Sequence, residues 1–343
     1  MSLPSVWFVR EHALLRRLIA LRLLHGSWPG AASALVETFA GSSSSAELHL
    51  YLEARCAQAC EFCAQPVQRE RVLPRALAVL DARVDRLTGD IVTSGALDAL
   101  LEACERRRPS VAVTITGHDW LRHPARDAII DALARHPALP KRLLGPHTGL
   151  ADPALARRVA AIPGLRAVAL TLQAADPAAH DAMVGRPGAF REVLGAIERL
   201  EEGGAFVEIN TVLTRRAVEH LPRLLPWLAA RGWKASLAAF APERLLPDPE
   251  RLHPPGSLVR RALVEQAAAA ESVVNSLVGV ALCVVPAALH RRTHKTVAAG
   301  LADPAETSPC ARCAVREQCS GVSESYLRAH GSGDLVAFDR RPG

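Results

Sequence analysis

The sequence predicts an α/β fold built on a parallel sheet, and two observations carry that prediction. Stretches of strand length and stretches of helical period alternate from residue 46 to about residue 240. Six strands alternate with helices over that span, which implies βαβ units, because parallel neighbours need a crossover connection. The length of 343 residues, room for about two domains, is ample for a large buried core. Periodicity leaves two forms of sheet open. It could be doubly wound, or closed or partly closed into a barrel. In either form ligands gather at the C-terminal ends of the strands.

Residues 9–25 read as one basic amphipathic helix, and the Gly41–Ser45 run as a flexible joint. Glu47–Leu52 is a short apolar strand that runs into a cysteine cluster, and residues 67–108 are mainly helical. Val111–Thr116 is a strand. Ala125–Arg135 is a helix with Ile129, Ile130 and Leu133 on one face. Arg142–Gly145 is a strand, Pro153–Ala161 a helix and Ala167–Leu172 a strand. Phe190, Val193, Leu194, Ile197 and Leu200 follow helical spacing up to Gly203-Gly204. Phe206–Leu213 is the fifth strand. Leu221, Leu224, Leu225 and Leu228 mark a helix, and Lys234–Phe240 is the sixth strand. Prolines 242, 247, 249, 254 and 255 mark a boundary near residue 245, beyond which the alternation is expected to stop. One helical stretch, 257–278, and a loop-rich tail with four cysteines follow. The expected organisation is a helical preamble (1–45), a barrel (46–245) and a cysteine-rich extension (246–343).

Composition excludes several classes. Hydrophobic residues are 49% and charged residues 22%, ordinary for a globular chain, so wholesale disorder is excluded. No apolar run approaches the roughly 20 residues of a membrane helix. Leu14–Leu24 comes nearest and is broken by Arg16, Arg17 and Arg22. No cleavable secretory signal is visible, so a cytoplasmic location is expected. The net charge is +6, but only 4% of residues are aromatic and only Lys141, Lys234 and Lys295 are lysines. That arginine bias in an alanine-rich chain reflects composition and argues against a nucleic-acid surface.

Six of the eight cysteines fall into two tight clusters, a pattern that favours metal over disulfides in a cytosolic protein. Cys56, Cys60 and Cys63 lie within eight residues at the exit of the first predicted barrel strand, so a loop can turn all three thiolates to one centre. Structural zinc takes four ligands. Three cysteines with no adjacent fourth suit a [4Fe–4S] cluster with one open iron, and His49 upstream is not placed to complete the set. Cys104, in a helical stretch, reads as a small buried hydrophobe.

Cys-x3-Cys-x2-Cys after the first strand, with Phe62 before the last cysteine, resembles the radical S-adenosylmethionine (radical SAM) enzymes. The resemblance implies a partial (β/α)6 barrel followed by a loop-rich cysteine-rich extension. In that family the open iron chelates S-adenosylmethionine, and reductive cleavage yields a 5′-deoxyadenosyl radical that abstracts hydrogen from a substrate. It further implies cofactor contacts. Thr116-Gly117-His118-Asp119 stands where relatives often have Gly-Gly-Glu, which nominates Gly117 and Asp119. His118 replaces a glycine, and Asp119 is one methylene shorter than Glu. Thr148-Gly149 resembles a Thr-Asn-Gly segment along the cofactor. Thr171 and Gln173 stand near the ribose position, and Asn210 near the methionyl group. His180-Asp181-Ala-Met-Val-Gly185-Arg-Pro-Gly188 resembles the family's loop before a helix, with no site role attached.

The second cluster, Cys310-Ala-Arg-Cys313 with Cys319 and the distant Cys283, resembles the auxiliary-cluster extensions called SPASM and twitch. Ser323 stands where SPASM has a further cysteine, so one closed cluster is the simplest count. Four thiolates close one [4Fe–4S] cube, and the same four would satisfy zinc. The implied activity is a radical SAM reaction on a peptide or protein side chain, in peptide maturation. The alternatives are oxidation of a small molecule, RNA modification, or a non-catalytic protein stapled by metal. The implied partners are a peptide or small-molecule substrate and an electron donor such as a flavodoxin or ferredoxin, with no membrane.

Overall fold

Strands of β-branched and apolar residues alternate with amphipathic helices in the computed structural model, and the fold is α/β of the partial parallel-barrel class. The structure describes residues 6–10, 27, 30, 32–33, 47–52, 56–63, 95–107, 111–117, 119–146, 148–240, 248–294 and 309–340. The chain divides into two units. One comprises Met1–Ala57, Arg69–Leu170 and Glu192–Val207; the other comprises Gln58–Gln68, Thr171–Arg191 and Glu208–Gly343.

In the first unit, β1 (Val6–Arg10), β2 (Glu47–Leu52), β3 (Ala112–Gly117), β4 (Lys141–Gly145) and β5 (Leu165–Thr171, up to Leu170) lie side by side in that order. All are parallel, with Leu52 opposite Gly117 and Ile115 opposite Leu143. Helices α1 (Ala96–Arg107), α2 (Arg126–Ala134) and α3 (Pro153–Ala160) make crossovers. Asp152 caps α3 by accepting the Ala154 N–H at 2.8 Å, and Pro153 presets its first turn. Leu100, Leu101, Val113, Ile115, Ile129, Leu133 and Leu143 are fully or almost fully buried and form this unit's core. Cys104 on α1 is buried too, and desolvation pushes its thiol up to about 12, as befits a core residue.

In the second unit, β6 (Val207–Leu213, from Glu208), β7 (Lys234–Ala239), β8 (Val274–Val278) and β9 (Thr293–His294) are again parallel and in order. Its helices are α4 (Pro177–Val184), α6 (Arg215–Ala229), α7 (Gly256–Glu265), α8 (Ala267–Val273) and α9 (Glu324–His330); α5 (Ala189–Glu202) lies mostly in the first unit. Thr214 caps α6, and Val218, Leu221, Leu224, Leu225 and Leu228 bury its apolar face. α6 packs against α7 and α8.

Three expectations need correction. Val9 and Arg10 lie in β1, not a helix, because Val6-Trp-Phe-Val9 is a β-branched and aromatic run; residues 11–25 and the Gly41–Ser45 joint lie outside the described residues. The stretch 257–278 is two helices and a strand. Gln266, at φ −113° and ψ 31°, separates the helices, and Val273-Val274 turns into β8. The alternation therefore does not stop at residue 245, because β8 and β9 extend the parallel pairing of β6 and β7. Among the described residues no helix is long and apolar enough to cross a membrane.

Lys141 begins β4 and is fully buried. Its ammonium donates to the carbonyls of Leu139 (2.9 Å), Pro163 (2.8 Å) and His136. It thereby ties the start of β4 to the turn after α3, and Gly164 leaves room for it. Nearby, His136 contacts Glu105 at 2.9 Å and Asp98 at 3.2 Å, joining α1 to the turn after α2. Removing the ammonium leaves buried carbonyls without their donor. Lys141→Met should therefore destabilise the protein by about 2–4 kcal/mol, read from the urea midpoint. An unchanged midpoint would show that the three carbonyls are satisfied otherwise.

Candidate active site

Three neighbouring strands of the first unit deliver expected site residues at the same end. Cys56 follows β2, Gly117 ends β3 and Asp119 follows it, and Thr148 follows β4. Asp119 is fully buried at the start of a short 3-10 turn, Trp120–Arg122. Its carboxylate Oδ2 accepts the Thr148 N–H at 3.1 Å and the Thr148 hydroxyl. The structure thus brings Asp119 and Thr148 together, one fixing the other's orientation. Cys56 is half-buried. His118 lies outside the described residues.

The rest of the first cysteine loop belongs to the second unit, where Cys60, Phe62 and Cys63 are half-buried. The Cys63 N–H donates to the Cys60 carbonyl at 3.1 Å, a tight turn, and the Cys60 thiol donates to Gln58 Oε1 at 3.4 Å. On either side of Cys60 the backbone is tied to the end of α4. Ala59 N–H donates to the Val184 carbonyl (2.9 Å) and Glu61 N–H to the Met183 carbonyl (3.0 Å). The Glu61 carboxylate meets Arg216, in the first turn of α6, at 3.0 Å.

Thr171 and Gln173 stand at the end of β5, and Asn210 lies half-buried in β6. The Leu172 N–H donates to the Asn210 carbonyl at 3.1 Å, which sets these three residues beside one another along the backbone. Gln173 is fully buried, yet neither polar atom of its amide has a hydrogen-bond partner within the protein. Buried polar groups are nearly always paired, so this amide marks a place where a ligand would be expected to pair with it. Its backbone N–H donates to His180 Nδ1 at 3.1 Å. Desolvation pulls His180 down to about 4, so the ring is neutral and carries its proton on Nε2.

The four tail cysteines gather in the second unit. Cys283, Cys310, Cys313 and Cys319 line one cavity together with apolar residues such as Val315, Leu335 and Phe338 and with Arg316. Backbone amides point at the sulfurs. Leu282 and Gly321 each donate to Cys319 Sγ at 3.4 Å, and Phe338 donates to Cys313 Sγ at 3.4 Å. Burial raises the Cys283 and Cys319 thiols, while amides favour their thiolates. The thiols stand around the cavity wall; among the described residues no three His, Cys, Asp or Glu side chains converge tightly enough for one metal ion. Ser323 is a helix cap, its hydroxyl accepting the Tyr326 N–H at 3.1 Å at the start of α9.

Sequence reasoning missed the tie between the cysteine loop and α4. Asp176-Pro177 and Gly185 are the signals that could have marked the ends of that helix, but backbone partners of a distant loop leave no signal in a single sequence.

Residues 52–222 match the family Radical SAM superfamily. No curated protein matches the sequence. Among solved structures, the chain is similar to SuiB from Streptococcus suis bound to the precursor peptide SuiA (15% identity, 68% of this chain and 48% of that chain, TM-score 0.47). It is also similar to anSMEcpe with bound AdoMet (12% identity, 64% and 59%, TM-score 0.45) and to TYW1 with a lysine-pyruvate adduct (14% identity, 67% and 75%, TM-score 0.41). The chain spans about half the length of SuiB. On the family match, residues 52–222 of this chain form a radical SAM domain.

Proposed function

We propose that the protein is a radical SAM enzyme that acts on a peptide or protein side chain, and that its tail holds one auxiliary iron–sulfur cluster. One observation carries the reading: three cysteines in eight residues, without an adjacent fourth ligand, leave β2 within a matched radical SAM domain. Held there, a [4Fe–4S] cluster with an open iron would supply the one-electron reduction of S-adenosylmethionine on which the family's radical chemistry rests.

Cys56, Cys60 and Cys63 would each ligate one iron, and Phe62 and Gly117 would line the cofactor. The Asp119 carboxylate, its plane set by Thr148, would receive the cofactor's ammonium. The unpartnered amide of Gln173 supports the fit, because it offers one donor and one acceptor to a ribose diol at a strand end. Thr171 and Asn210 add polar groups beside it. In the tail, four thiols spread around one cavity, with amides aimed at the sulfurs, suit a cube whose thiolates sit on four different irons. The tail, residues 246–343, would then select or oxidise the substrate. A flavodoxin or ferredoxin would donate electrons.

Full-length protein reconstituted without oxygen should hold about eight irons per chain and no zinc. About four irons with one zinc would make the tail a zinc site, and about four irons alone would leave the tail without metal. The triple variant Cys56→Ala, Cys60→Ala, Cys63→Ala should lose about four irons and all 5′-deoxyadenosine formation. Continued 5′-deoxyadenosine production by that variant would sink the proposal. Asp119→Ala should leave the iron content intact and weaken S-adenosylmethionine binding about tenfold or more, the loss of a charge-assisted hydrogen bond, measured by titration calorimetry. Unchanged affinity would move the ammonium site elsewhere.

A further inference from the structure

We propose that α4 and the Gly185 that ends it, to which no site role attaches, position the three-cysteine loop, and that Gly185 is the residue on which this depends. The inference rests on the reading that this loop holds the catalytic cluster.

The last carbonyls of a helix have no partner within it and need donors from elsewhere. α4 gives two of them, Met183 and Val184, to the amides of Glu61 and Ala59. These amides flank Cys60, so the backbone that carries the middle thiolate is pinned on both sides by one rigid element. That element is itself anchored at several points. Asp176 caps its start, taking the Ala179 N–H at 2.7 Å. His180 Nδ1 takes the Gln173 N–H, which ties the helix to the end of β5. Met183 is fully buried in a cluster with Ala174 and Ala217. Asp181 accepts the amides of Gly188 and Phe190 and so shapes the turn that follows.

Gly185 makes the close approach possible. It ends α4 at φ 65°, and a Cβ there would stand 2.5 Å from the Ala59 carbonyl oxygen and 3.1 Å from the Ala59 Cβ. The obstacle is backbone, so a side chain at 185 must push the cysteine loop away or open the helix end. Gly188 provides the control. It is also left-handed, at φ 81°, but its Cβ would meet nothing within 4 Å. Alanine at either position imposes a similar backbone penalty, and only at 185 does it displace the loop.

The test compares full-length parent, Gly185→Ala and Gly188→Ala after anaerobic reconstitution. Occupancy of the first cluster is read from iron content and from the change in electron paramagnetic resonance on adding S-adenosylmethionine. Thermal unfolding of the metal-free chains reports stability. Gly185→Ala should lower occupancy about tenfold, as outer-shell substitutions do, while Gly188→Ala stays within about twofold of the parent at a similar loss of stability. Equal occupancy in the two variants overturns the proposal. If Gly185→Ala does not fold, hydrogen exchange on the metal-free parent decides: the Ala59 and Glu61 amides should exchange about a hundredfold more slowly than unprotected loop amides. Unprotected exchange there also overturns it. Failure of the underlying reading looks different, because the triple cysteine variant would then keep the parent's iron.

Discussion

Parallel pairing is the constraint on which the rest of this protein depends. Two parallel strands cannot be joined by a tight turn, so each must be followed by a crossover before the next begins. Every strand in a unit then points the same way, and the segments leaving their C-terminal ends emerge on one side. In the first unit this is how Cys56, Asp119 and Thr148, far apart in sequence, follow the adjacent strands β2, β3 and β4. The pairing of Leu52 with Gly117 sets the height at which the first two segments leave the sheet. Chemistry at these positions needs no special folding device beyond the direction of the strands.

Strand direction alone does not hold a loop still, and the second unit shows how that is done. A helix end and a cysteine loop each present polar backbone that must find partners. Here they satisfy one another, carbonyl to amide, so ordering the loop costs no separate set of side chains. The ion pair of Glu61 with Arg216 at this junction is partly exposed and adds little to stability. The tail cysteines follow the same economy, with main-chain amides of Leu282, Gly321 and Phe338 directed at the sulfurs.

Much of the fold was legible in the sequence because parallel βαβ units write strong local signals. Ile129, Ile130 and Leu133 mark one face of α2, and Leu221, Leu224, Leu225 and Leu228 mark α6; both helices are where that spacing puts them. β1 was hidden because a five-residue strand adjoins a basic run whose spacing suits a helix. β8 was hidden because Val274–Val278 continues an apolar pattern that the preceding helices share, and no Gly or Pro marks the turn from helix to strand at Val273-Val274. Of the site, the cysteine spacing and the strand-end polar residues could be read. The bond from Thr148 to Asp119, the buried amide of Gln173 and the tie from Ala59 to Val184 could not, because each is a contact between segments that share no local pattern.

Ser323 carries an evolutionary consequence. Its hydroxyl starts α9 and lies 3.1 Å from His253 Nε2 and 3.0 Å from the Ser325 hydroxyl in a buried cluster. A thiol is a weak acceptor and would serve poorly as the cap. A lineage that gained a thiol at 323 would first have to find another start for α9, so a folding barrier stands in the way of that exchange.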